Sequence, residues 1–89
     1  VKFSLGRLFA TPGAIMAAKE ANDNLVGYLN RHAAGDWGDL SNDDRRANAE
    51  ALKDGSRLLS AYHLKDGTKI WIITEVDRSA TTVLLPAEY

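Results

Sequence analysis

The sequence has no cysteine, two prolines, one methionine and two histidines among its 89 residues. Without cysteine there is no disulfide scaffold, no thiolate metal site and no cysteine nucleophile. No apolar run reaches the roughly 18 residues that a membrane-spanning helix needs, and no basic-then-apolar leader is visible. These two absences predict a cytoplasmic protein with no membrane partner. Nor is there an excess of charge of one sign: 11 Lys and Arg stand against 12 Asp and Glu, for a net charge of −1. The basic footprint of a general nucleic-acid binder is therefore missing, which disfavours nucleic acid and favours a protein as partner. Gly-rich phosphate loops, a nucleophile elbow and a two-histidine zinc motif are absent too. What remains is a chain with an ordinary 45% of apolar residues and no internal repeat or linker. It reads as one α+β domain spanning residues 1–89.

Two or three N-terminal helices are expected to pack on a three-stranded antiparallel β-meander. Thr11-Pro12 starts the first helix, because Thr can cap free amides and Pro suits the first helical turn. Asn22-Asp23-Asn24 breaks it, and helical spacing resumes from Leu25 to about His32 or Ala33. Ser41 with Asp44 three residues on resembles a capping box, and that helix should end at Gly55. The last third changes to a strand period. Arg57–Leu64 and Lys69–Val76 flank Asp66-Gly67, a hairpin signal. With those two residues at the centre of a two-residue turn, Tyr62 opposes Trp71 and Ser60 opposes Ile73. A third strand over Ala80–Leu85 follows, leaving the doubly apolar Ile70–Ile73 stretch in the middle. Val1–Leu5 alternates and reads either as an added edge strand or as a fraying end.

The densest polar run is Arg31-His32, then Gly35-Asp36-Trp37-Gly38, at a helix end and a glycine-hinged loop. His32 has the residue type for proton transfer near neutrality. Its competing role is to bond the last carbonyls of its helix while Trp37 fills the core. No metal is expected at His32 and Asp36, since a closed site needs about four ligands and His63 is the one other histidine. No cofactor is expected either. Asn48 shares a helix face with Ala51 and Leu52, and should bond backbone of the Gly35–Gly38 loop or a substrate. Arg78, between Asp77 and Ser79, suits a carboxylate or phosphate, or an ion pair with Glu75, Asp77 or the acidic 36–44 segment. Ser79 and Thr82 are the nearby hydroxyl ligands. The 31–37 loop and the 77–82 turn are predicted to meet in space.

The segments TPGA, RHAAGDWGDL, LLSAY and KIWIITEVDRSATTVLLPAEY together resemble a family of small bacterial proteins of unassigned function, described as plasmid-related or mobile-element-associated. The resemblance runs from about Thr11 to Tyr89 and implies no activity. In element order the chain also resembles the barnase-like and RelE-like ribonucleases, a likeness of fold alone. Two functions follow. One is a small accessory or protein-interaction module. The alternative is a metal-independent ribonuclease-like enzyme with His32 as acid or base and Arg78 on phosphate, assisted by binding residues Arg31, Asp36, Trp37, Asn48, Ser79 and Thr82. An enzyme requires His32 and Arg78 to share an open cleft.

Overall fold

The computed structural model describes residues 2–89. Strand β1 (Arg7–Ala10) opens the fold, helices α1 (Pro12–Glu20), α2 (Leu25–Ala33) and α3 (Asn42–Asp54) follow, and strands β2 (Leu58–His63), β3 (Lys69–Thr74) and β4 (Ala80–Leu84) close it, with a short 3-10 turn at Pro86–Glu88. The class is α+β. The expected helices do not lead the chain, however, because β1 precedes them. The sheet has four strands in the order β1-β4-β3-β2, with β1 parallel to β4 and the other neighbours antiparallel. The meander is therefore the larger part of a mixed sheet, and β3 lies inside it. Residues 2–5 are not a strand. The segment is docked instead, with Lys2 N–H bonded to the Ala33 carbonyl and the Leu5 carbonyl accepting from Thr81. Val1 lies outside the described residues.

Local chemistry sets the helix ends. Thr11 Oγ1 accepts from Ala14 N–H, Asn24 Oδ1 from Val26 N–H and Ser41 Oγ from Asp44 N–H, so each helix has a side-chain N-cap. Helix α3 stops at Gly55, whose φ of 82° is a left-handed value that costs glycine little.

The β2–β3 hairpin differs from expectation by one residue. Tyr62 pairs with Ile70, Ala61 with Trp71 and Ser60 with Ile72. The reason is the loop. Leu64 N–H bonds the Thr68 carbonyl and Gly67 N–H bonds the Leu64 carbonyl, so three residues, 65–67, make the turn, and Gly67 takes the last, positive-φ position. A shift of one exchanges the two faces of a strand. The face under the helices thus carries Leu58, Ser60 and Tyr62, then Ile70, Ile72 and Thr74, then Thr81 and Val83, all buried. Ala14, Ala21, Tyr62, Leu64, Ile70, Ile72 and Val83 form one core, with Leu25, Tyr28 and Leu29 of α2 packed on it. Trp37, Ala51 and Leu58 form a second beside Phe3 and Leu40. On the opposite face, Tyr89 packs edge-on against Trp71.

Candidate functional site

His32 projects from the last turn of α2 onto the sheet and is fully buried. It does not bond its own helix end. Nδ1 meets Ser60 Oγ on β2, and Nε2 lies 2.8 Å from Thr74 Oγ1 on β3. Thr74 Oγ1 is 2.7 Å from Thr81 Oγ1 on β4, which donates to the Leu5 carbonyl at 2.7 Å. The terminal carbonyl can only accept, and each hydroxyl has one proton, so the whole chain has a single direction. Thr81 gives its proton to Leu5 and accepts from Thr74. Thr74 in turn accepts from His32 Nε2–H, and Nδ1 accepts from Ser60. The direction of the chain fixes a proton on Nε2, and burial of the ring keeps the imidazole neutral, so that Nδ1 is the acceptor. Burial pushes its pKa from 6.5 down to about 4. Phe3 and Trp37 meet the ring edge-on at 5.2 and 5.6 Å and shut out water. No buried side-chain nitrogen or oxygen is left unpaired among the described residues. Ser60 and Thr74 share a face only in the observed register, because the expected one sets them on opposite faces; Thr81, paired with Thr74, completes that face from β4. Thr82, which had been expected in the site, points to the other face beside Phe9 and Ile73.

Arg78 does not face an open cleft either. Its Nη1 donates to the carbonyls of Ser56 (2.7 Å), Glu75 (3.0 Å) and Val76 (3.3 Å), and its Nη2 to the Ala51 carbonyl (3.0 Å). The guanidinium thus ties the C-terminal end of α3 to the β3–β4 turn. In place of the expected ion pairs with Glu75, Asp77 or the 36–44 segment, the guanidinium donates to backbone carbonyls. Its cation also sits 5.9 Å from the Phe3 ring, the same ring that touches His32 and Trp37. Phe3 thereby joins the α2 end to the 77–82 turn. Ser79 is exposed, its N–H held by Asp77 and its carbonyl accepting from Arg7 N–H.

Arg31 finds its acid locally, with Nε 2.7 Å from Asp36 Oδ2. That bond lowers the Asp36 pKa and raises that of Arg31. The Arg31 cation lies 4.7 Å above the Tyr62 ring, whose hydroxyl donates to the Asp36 carbonyl. Asn48 misses the loop it was expected to bond. Its Nδ2 donates to the Leu59 carbonyl at 2.6 Å, and its Oδ1 accepts from Leu59 N–H at 3.1 Å. Among the described residues no three His, Asp or Glu side chains gather as metal ligands.

The Asn48 bonds belong to a larger pattern. On β2, residues 59, 61 and 63 turn their backbone away from β3, toward the sheet edge. Asn48 takes both groups of Leu59. Ala61 N–H bonds the Trp37 carbonyl, the Ala61 carbonyl accepts from Asp39 N–H, and Tyr28 Oη donates to the His63 carbonyl. Gly38, in the middle of this cover, has φ 74°, and any Cβ there would lie 2.1 Å from the Ala61 carbonyl oxygen. Asp39 also holds His63 Nδ1 at 2.7 Å. The β1 edge is different. The Arg7 N–H bonds the carbonyl of Ser79, just before β4, and the Thr11 N–H that of Val83 on β4, so Leu8 and Ala10 face outward. Among the described residues nothing bonds those outward groups. Leu8 and Phe9 on this strand are 56% and 48% exposed. A shallow groove of about 400 Å³ runs beside it, lined by Leu5, Leu8, Asn30 and Ala33 among others.

No protein-family model, curated protein or solved structure matches the chain. No helix among the described residues is long and apolar enough to cross a membrane.

Proposed function

We propose that this chain is a small protein-interaction module that docks partners by strand addition at β1. The observation that carries the reading is that, among the described residues, nothing bonds the outward backbone of Leu8 and Ala10, on a strand with exposed Leu8 and Phe9 side chains and in a sheet whose other edge is covered. An open edge offers main-chain bonds for affinity and flanking side chains for selection. The resemblance to plasmid-related proteins fits such an accessory role on a mobile element. The ribonuclease-like alternative has less support. A general acid or base must reach the proton it transfers, and the His32 nitrogens are both engaged under Phe3 and Trp37. Arg78 likewise spends its donors on carbonyls.

The test is a photo-crosslinking residue placed at Leu8, with the same residue at Leu52 on α3 as control, in cells of the native host. The reading expects protein adducts from position 8 that vanish when Phe9→Lys is added. Equal adducts from both positions, or none from position 8, would overturn it.

A further inference from the structure

We propose that the occupant of the β1 edge is β1 of a second copy of this chain, running antiparallel about a two-fold axis at Phe9. The inference rests on the interaction-module reading and names its partner. Three observations select a second copy.

The first is hydrogen-bond phase. An antiparallel ladder exchanges bonds between residues that both face outward, here Leu8 and Ala10. Leu8 opposite Ala10 of the other copy, and Ala10 opposite its Leu8, satisfies all the outward groups of both strands. Phe9 then falls opposite Phe9 as a close, non-bonded pair, a favourable cross-strand arrangement of two half-exposed rings.

The second is charge. Arg7, Phe9 and Thr11 share one face of β1, and the Arg7 cation already leans over the Phe9 ring at 5.7 Å. At the other end of the strand the Glu88 carboxylate accepts from Thr11 Oγ1 and from Leu85 N–H, and lies against Gly13. Antiparallel pairing about Phe9 sets Arg7 of each copy opposite Thr11 of the other, and hence beside its Glu88. Opposite charges meet twice, whereas a parallel pairing of two copies would set like beside like.

The third is closure. Because Asn48, the Trp37–Asp39 segment and Tyr28 occupy the β2 edge, β1 of one copy has no open β2 edge to extend. A head-to-tail array is blocked, and only the two-fold pairing remains. The product is one eight-stranded sheet with a covered strand at each end, which stops at two copies.

Sedimentation equilibrium of the full chain between about 1 µM and 1 mM tests this, since a short strand edge supports a weak interface. The expected mass rises from that of one 9.7 kDa chain toward two and no further. Phe9→Lys and Phe9→Glu each keep one chain's mass throughout with unchanged circular dichroism, because like charges then face each other. An equimolar mixture of the two variants regains the doubled mass. A wild type that stays monomeric at the highest concentration overturns the second copy, as does association that both variants retain, or growth past two chains. Crosslinking at Leu8 separates this failure from that of the module reading. Adducts with other proteins alone sink the second copy and leave the module standing; no adducts at all sink both.

Discussion

The two edges of this sheet are treated in opposite ways. At β2, three separate segments take five of the six outward backbone groups of residues 59, 61 and 63: the Asn48 amide, the main chain of Trp37 and Asp39, and the Tyr28 hydroxyl. At β1, the shortest strand, the outward groups of Leu8 and Ala10 have no bond among the described residues, and two large apolar side chains stand exposed beside them. Both edges carry the same hazard, a row of unpaired donors and acceptors that templates association. Covering one and leaving the other directs association to a single place. The difference also accounts for the constrained positions of Asn48, bonded to both backbone groups of Leu59, and of Gly38, which has no room for a Cβ against the Ala61 carbonyl.

The comparison can be broken hardest through Trp37. Trp37→Ala removes a buried ring and loosens the loop whose backbone closes Ala61, so an unfolding midpoint in denaturant should fall by the equivalent of about 3–5 kcal/mol. The β2 edge should open in the survivors, with association growing past two chains. Acid gives the next largest effect and serves as a control, since His32 bonds side chains of β2 and β3 and takes no outward-facing backbone group of either edge. A base with a folded pKa of about 4 and an ordinary value of 6.5 leaves the unfolded chain holding more protons between those values. The stability tied to neutral His32 is therefore complete above pH 6.5, declines as pH falls and is gone below about 4, a loss of about 3 kcal/mol. Denaturant titrations across this window should show that slope, and His32→Gln should flatten it. Asn48→Ala comes third, costing about 2 kcal/mol through the two bonds it takes from Leu59. Thermal unfolding reads the loss, and light scattering should show association beyond the dimer. Phe9→Lys is the smallest in stability, within about 0.5 kcal/mol by denaturant titration because the ring is half in solvent, yet it should abolish pairing at β1.

Much of this was legible in the sequence, and the gaps have physical causes. The caps at Thr11 and Ser41, the break at Asn22–Asn24 and the end at Gly55 are local chemistry, so adjacent residues reveal them. The hairpin was visible in Asp66-Gly67, but glycine also fits the third position of a three-residue turn, and that ambiguity moved the register by one. The slip hid the Ser60–His32–Thr74–Thr81 chain, which exists only when Ser60 and Thr74 share the sheet face that His32 of α2 covers. Strand β1 escaped for another reason. Arg7–Ala10 is four residues long without strict alternation, and its parallel partner is at the other end of the chain. Asn48 was rightly read as a buried amide bonded to backbone. Its target, the edge of β2 instead of the 35–38 loop, depends on tertiary placement that helix periodicity does not encode.

The contrast between the edges is tested most directly by amide hydrogen exchange at four positions, recorded on dilute and on concentrated protein. Leu59 and Ala61 should be protected at both concentrations, because their N–H groups are bonded within one chain. Leu8 and Ala10 should exchange freely when dilute and become protected when concentrated, as β1 pairs. Protection of Leu8 and Ala10 in dilute protein, or free exchange at Leu59 and Ala61, would contradict the account.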